Sequence, residues 1–148
     1  MIKKINRYEK LIFETKYWTI ELASDQTYLG RCKIILKRKC GELNKVNNKE
    51  WDDFLKVIKR MENGLKIAFN ATMFNWTCLM NDAYQSKNPM PQVHWHFRPR
   101  YKNKIKFNGL FFEDKEFGQH YNREKNRKIA ERIQNKIIEK IRKSVKLK

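Results

Sequence analysis

The run Pro91-Gln92-Val93-His94-Trp95-His96-Phe97-Arg98-Pro99-Arg100 constrains the fold more than any other stretch. Polar and apolar residues alternate without a break from Gln92 to Arg98. Successive side chains of a strand point to opposite faces. The pattern therefore predicts a strand with Gln92, His94, His96 and Arg98 on one face and Val93, Trp95 and Phe97 on the other. Three bulky apolar groups anchor such a strand to a core, and its polar face is left for chemistry. The strand also carries two of the three histidines in the chain.

A chain of 148 residues suits one core with an appended helix. Hydrophobic residues at 41% and aromatics at 13% exclude wholesale disorder. No apolar run approaches the roughly 18 residues of a membrane span, so no membrane partner is expected. Met1–Arg7 leads into charged residues and not into an apolar leader region. Cys32, Cys40 and Cys78 lack C-x-x-C spacing, which argues against a disulfide framework and a zinc ribbon. The expectation is a cytoplasmic protein with reduced thiols. A net charge of +18 favours polyanionic partners such as nucleotides or nucleic acid. A Lys/Asn/Ile compositional bias produces the same excess, so charge alone does not choose between them.

Along the chain, Leu11–Leu22 reads as a hairpin turning near Glu14–Lys16, although the usual Asn-Gly signal is missing. A strand over Arg31–Lys37 places Arg31, Lys33 and Ile35 on one face and Cys32, Ile34 and Leu36 on the other. Asn47-Asn48, followed by Glu50, Asp52 and Asp53, marks a helix start. Trp51, Phe54, Leu55, Ile58, Met61, Leu65, Ala68 and Phe69 form its apolar stripe against a sheet. A further strand is predicted over Thr72–Met80, then a loop from Ala83 to Met90. Residues 102–106 read as a basic linker and Phe107–Tyr121 as irregular. From Asn122 to the end there is no Gly or Pro, and Ala130, Ile133, Ile137 and Ile141 keep helical spacing, which predicts one terminal helix. Eleven basic residues against three Glu lie between Arg123 and Lys148. The plain reading is a helix docked by its isoleucines with a solvated basic face, and the alternative is a face that binds nucleic acid.

Two histidines two residues apart on a strand can be core residues, metal ligands or a nucleophile with its partner. Gln92 and Arg98 on the same face argue against a core pair. A catalytic zinc takes three protein ligands, and Cys78, Asp82 and His120 show no spacing that ties them to the pair. Attack by imidazole on phosphorus, through a covalent intermediate that yields to water, fits the pair. Nearby cations would spread the charge that grows in that transition state.

The run Gln92–Arg100 resembles the signature strand of the histidine-triad (HIT) nucleotide hydrolases and transferases, His-φ-His-φ-His-φ-φ followed by Pro-Arg. Anchoring on Pro99-Arg100 makes His96 the third triad position, His94 the central one and Gln92 the replacement for the first. Tyr28-Leu29-Gly30-Arg31, Glu50-Trp51 and Met80-Asn81-Asp82 follow in the family's order, so the resemblance spans residues 11–101. It implies an α+β fold with a mainly antiparallel sheet of about five strands, one packed helix and a basic C-terminal helix. Residues 1–101 would form the catalytic domain and 102–148 a basic extension.

The resemblance further implies His94 as nucleophile, oriented by the Gln92 main-chain carbonyl, and His96 as the group that binds phosphate and assists the leaving group. Asn81 and Asn88 would hold or border the phosphate. Arg31 stands where many relatives have a fourth His, and Arg98 replaces an apolar residue. Both suit a highly charged leaving group, such as a polyphosphate or a nucleic-acid 5′ end, unless Asp25 or Asp82 pairs with them. Ala23 replaces the family's ribose-binding acid or amide. The implied activity is cleavage at the α-phosphate of adenylated nucleotides such as dinucleoside polyphosphates, in a homodimer. No cofactor is required, with Mg²⁺ as a companion of a polyphosphate substrate. Alternatives are aprataxin-like removal of AMP from nucleic-acid 5′ ends and non-catalytic nucleotide or RNA binding.

Overall fold

A computed structural model describes residues 10–146. The run Met1–Arg7 and the last two residues of the expected terminal helix lie outside the described residues. The elements are β1 (Leu11–Glu14), β2 (Trp18–Leu22), β3 (Cys32–Leu36), α1 (Asn48–Phe69), β4 (Met73–Thr77), β5 (His94–Arg100), β6 (Ile105–Phe107), β7 (Leu110–Phe112) and α2 (Glu131–Lys146). The first five strands form one sheet in the order β1-β2-β3-β5-β4, and every neighbouring pair is antiparallel. The α+β expectation with an antiparallel five-stranded sheet holds.

The histidine strand sits inside this sheet, between β3 and β4. Trp95 and Phe97 point to the α1 side: Trp95 stacks on Phe54 and Phe97 lies against Phe74 and Trp76. The β1–β2 turn does without Asn-Gly because α1 braces it. The Asp53 carboxylate accepts hydrogen bonds from Thr15 Oγ1 at 2.7 Å and from the Tyr17 N–H at 3.1 Å.

Helix α1 begins at the predicted cap. The Asn47 side chain accepts from the Glu50 N–H while the Glu50 carboxylate accepts from the Asn47 N–H, a closed capping box. Its buried arc differs from the predicted stripe: Leu55 is 51% exposed, whereas Val57 and Gly64 are buried. The reason is that α1 is covered twice, by the sheet and by α2, so the buried sector shifts toward Gly64. A Cβ added at Gly64 would come within 2.6 Å of Val145 Cγ1 on α2, so the bare glycine lets the two helices approach.

Three predicted boundaries are corrected. The strand read over Thr72–Met80 ends at Thr77, because Thr77 already faces His96 and little partner strand remains beyond it; the chain then turns through a 3₁₀ segment, Asn81–Gln85. Residues 105–112, read as linker and irregular chain, form the β6–β7 hairpin. Its turn is Asn108-Gly109, both with positive φ, the Asn-Gly hairpin signal. The terminal helix begins at Glu131 and not near Asn122. Tertiary bonds hold the preceding segment extended: the Asn122 N–H donates to Tyr28 Oη at 2.7 Å, the Arg127 N–H to Asp25 Oδ1 at 3.0 Å, and the Gln26 N–H to the Arg127 carbonyl at 2.8 Å.

Ile133, Ile137 and Ile141 bury their predicted stripe in the same core as α1 and the sheet. Arg142 caps the outer edge of β1, donating from Nε to the Ile12 carbonyl and from Nη2 to that of Leu11. Among the described residues, no helix is long and apolar enough to cross a membrane.

Candidate active site

His94 and His96 project from the sheet face opposite α1, as alternation requires, and Lys33 of β3 stands opposite His96 in register. His94 Nδ1 lies 2.8 Å from the Gln92 carbonyl oxygen. A carbonyl can only accept, so the ring proton is assigned to Nδ1 and the lone pair of neutral His94 to Nε2. Nε2 is 3.2 Å from His96 Nε2. That contact needs a proton from the other ring, which makes His96 the Nε2–H tautomer. His96 Nδ1 is then a bare acceptor, and it is buried with no partner. One backbone carbonyl thus sets the protonation pattern of both rings.

The Gln92 side chain explains why this carbonyl is fixed. Its Nε2 donates to the Leu36 carbonyl at 2.7 Å and the Arg38 carbonyl at 2.8 Å, and its Oε1 accepts from the Cys40 N–H at 3.1 Å. Both amide protons are engaged by the chain leaving β3. The Val93 N–H donates to the Cys40 carbonyl at 2.7 Å and doubles the clamp. Gln92 borders the pocket, but its amide braces the loop.

The pocket over the histidines has a volume of about 250 Å³. Lys33, His94 and His96 line it from the sheet, and Met80, Asp82, Ala83 and Met90 from the β4–β5 connection. Asn81 and Asn88 are both exposed and outside this lining. Asn81 opens the 3₁₀ turn whose next two residues wall the pocket. The Asn88 N–H donates to Ser86 Oγ at 3.3 Å in the exposed part of the loop.

Positive charge dominates this face. Burial first, then His94, Arg98, Arg31 and Lys33, push the His96 imidazole down to about 3, so it is neutral in the free site. Arg31 turns to Asp25, with Nη1 2.7 Å from Oδ2, which realises one of the two pairings foreseen for it. Burial opposes ionisation of Asp25, but hydrogen bonds from Arg127 and Thr27, together with Arg31, hold its carboxyl below the usual range. Arg98 pairs with neither Asp25 nor Asp82. It is 7% exposed, donates from Nη1 to Thr77 Oγ1 at 3.3 Å, and lies over the Tyr121 ring at 3.9 Å.

The structure therefore brings His94, His96 and Gln92 to one pocket, sets Arg31 and Arg98 at a separate cavity on the same sheet face, and leaves Asn81 and Asn88 at the rim. Sequence reasoning placed Lys33 on the right face without giving it a role. It missed Met80 and Met90 as walls, and it missed Tyr121, Asn122 and Arg123, whose approach depends on the extended segment before α2. Among the described residues, no group of three His, Cys, Asp or Glu side chains could hold a metal ion.

The HIT domain profile matches residues 4–103. No curated protein matches by sequence. Among solved structures, a hypothetical histidine triad nucleotide-binding protein from Sulfolobus tokodaii is similar, with a TM-score of 0.69 at 14% identity, covering 93% of this chain and 83% of that one. A histidine triad protein from Marinobacter aquaeolei gives 0.69 at 16% identity, over 92% and 88% of the two chains. The Plasmodium falciparum diadenosine triphosphate hydrolase gives 0.54 at 21% identity, over 67% and 66%. The profile match covers most of the chain and contains the whole histidine strand, and the fold agrees with it: the chain belongs to the HIT domain family.

Proposed function

We propose that this chain is a nucleotidyl hydrolase or transferase that cleaves at the α-phosphate of adenylated nucleotides, with dinucleoside polyphosphates as substrates. The observation that carries this reading is the His94 ring, which is bound through Nδ1–H to the Gln92 carbonyl and presents its Nε2 lone pair beside His96 in a pocket that Lys33 also lines. A similar fold occurs in a protein named as a diadenosine triphosphate hydrolase, and a structure described as a uridylyltransferase gives a TM-score of 0.60 at 14% identity. Those names support the class of chemistry.

In the first step His94 Nε2 attacks the α-phosphorus. The new P–N bond forms as the P–O bond to the leaving phosphate breaks, and the electron pair departs on that oxygen. A phosphate leaving group leaves as an anion, so a hydrogen bond from His96 Nε2–H suffices. The nucleotidyl-imidazolium keeps its Nδ1 proton on the Gln92 carbonyl, which spreads the positive charge. Water, or another acceptor in a transferase, then attacks phosphorus. The P–N electron pair returns to His94, and the water proton leaves to a phosphate oxygen or to solvent while His96 Nε2–H again donates a hydrogen bond to the phosphoryl oxygens. A bound phosphate raises the proton affinity of His96, reversing the effect of its cationic neighbours. These steps use no metal. Mg²⁺ entering with a polyphosphate would rest mainly on phosphate oxygens, since Asp82 is the one carboxylate lining the pocket.

Single-turnover incubation with a labelled dinucleoside polyphosphate tests the proposal. Wild type should trap label on histidine, and His94→Ala should lose both the label and at least about 10³-fold of turnover. Absence of label on wild type across dinucleoside polyphosphates, aminoacyl-adenylates, phosphoramidates and adenylated DNA would sink it. The exposed lysines Lys136, Lys140 and Lys143 on α2 favour a second reading, removal of AMP from nucleic-acid 5′ ends. Preferential turnover of adenylated DNA in that panel would select it.

A further inference from the structure

A second cavity, of about 110 Å³, lies at the Arg98 end of β5. Buried Arg98 and half-buried Arg31 line it together with the exposed Arg123 and Lys125, and Asp25 is the one lining carboxylate. Four cations thus meet one acid, which Arg31 Nη1 already holds. Lys125 is matched by Glu116 at 2.9 Å, outside the lining. Arg98 and Arg123 have no carboxylate partner among the described residues. Arg31 Nε is buried with no hydrogen-bond acceptor. The single hydrogen bond of the Arg98 guanidinium goes to a neutral hydroxyl, and the Tyr121 ring orients its plane. Buried guanidinium groups short of acceptors are unfavourable unless an anion joins them.

The wall that carries Arg123 belongs to the extended segment before α2, beyond the residues matched by the family profile. Asn122 is tied to Tyr28 and Arg127 to Asp25, so a strap fastened on both sides of Arg123 holds it at the cavity. Arg98 is two residues from His96 on one strand face, about 7 Å along the strand. A single phosphate seated on His94 and His96 leaves these guanidinium groups unmet. The cavity, at about 110 Å³, has less than half the volume of the pocket over the histidines and is lined mainly by cations, so it suits a phosphate and not a nucleoside.

We infer that Arg31, Arg98 and Arg123 form a second subsite that takes a further phosphate of the ligand whose α-phosphate reaches His94, so that this chain selects polyphosphate-linked substrates. The inference rests on the reading that His94 attacks a phosphoryl group, and its test separates the two. Calorimetric titration of the full chain with inorganic tripolyphosphate and with inorganic phosphate reads the subsite without catalysis. Arg123→Ala, at an exposed position, should weaken tripolyphosphate binding about tenfold and change phosphate binding less than about twofold. Arg98→Gln should show the same selectivity with a larger loss. In turnover, Arg123→Ala should lose kcat/KM on diadenosine tetraphosphate and keep it on an adenosine phosphoramidate, which carries one phosphate.

Equal losses on both ligands, or an unchanged tripolyphosphate affinity in Arg123→Ala, would overturn the subsite. Selective tripolyphosphate binding in a wild type that turns over no substrate would retire the catalytic reading and keep the subsite. A 5′-adenylated oligonucleotide separates the two sources of linked phosphate. An Arg123→Ala loss that grows with oligonucleotide length, and not with phosphate number, would overturn the polyphosphate assignment.

Discussion

Arg98 and Arg100 are one strand step apart on the same face of β5, yet their surroundings are opposite. Arg100 is 0% exposed and every arm of its guanidinium is engaged. Nε and Nη2 hold the Asp114 carboxylate at 2.6 and 3.1 Å, Nη1 reaches Asn75 Oδ1 and the Gln119 carbonyl, and Nη2 also reaches the Glu116 carbonyl. Arg98, nearly as buried, has one hydroxyl and one aromatic ring. The difference teaches how to read charge in this protein. A buried cation with a closed shell locks the fold, and a buried cation with an open shell waits for an anion. Among neutral groups the same difference in partners recurs: His96 keeps an unmet Nδ1 acceptor, whereas the Gln92 amide is fully engaged.

The contrast can be broken by experiment, and the largest effect is expected at Arg100. Arg100→Gln strands the buried Asp114 carboxylate and should remove about 3–5 kcal/mol of stability in urea unfolding. A change below about 1 kcal/mol would show that the closed shell is not structural. Gln92→Ala comes next. Freeing the Leu36 and Arg38 carbonyls and the Cys40 N–H should cost about 1–3 kcal/mol. It should also lower kcat more than it raises KM, because the His94 ring loses its fixed support. An unchanged kcat would show that the clamp does not orient the nucleophile.

A pH effect should separate His96 from its neighbours. In the folded chain it resists protonation down to about 3, against 6.5 for an unperturbed imidazole. Between those limits the unfolded chain binds the extra proton, so stability falls as pH drops through this window. His96→Gln should flatten that part of the stability profile relative to wild type, and an identical slope would contradict the buried neutral ring. The smallest stability change is expected for Arg98→Gln, within about 1 kcal/mol, since burial and the adjacent Arg31 already disfavour its charge. A loss as large as that of Arg100→Gln would erase the distinction between the two arginines.

Much of the site was legible because it is written in short-range pattern. Alternation from Gln92 to Arg98 set both faces of β5, and Asn47 with Glu50 marked the start of α1. Parity alone puts Lys33 and Arg31 on one face of β3, and the pairing with β5 makes it the histidine face. The unreadable parts depend on distance. Gln92 could be seen as a departure from a triad, but its clamp reaches residues 52 to 56 positions away. No local breaker separates Asn122 from Ala130, and tertiary bonds to Tyr28, Asp25, Gln26 and Phe111 hold that segment out of the helix. Leu55 fitted the periodicity of α1, but a second packing partner redirected the buried arc. The Asn108-Gly109 hairpin is different in kind, since its signal was local and present in the sequence.

The strap of residues 121–127 has a consequence for the order in which the protein is made. During synthesis the histidine strand emerges first and can pair with β3 and β4, which precede it in the chain. Arg123 and the ring that orients Arg98 follow more than 20 residues later, and α2, which seals the outer edge of β1, later still. A nascent chain that has released His94 and His96 therefore carries its proposed nucleophile before it carries the groups proposed to choose the substrate. On this ordering the proposed selectivity is completed after the histidine strand and before the edge of the sheet is sealed.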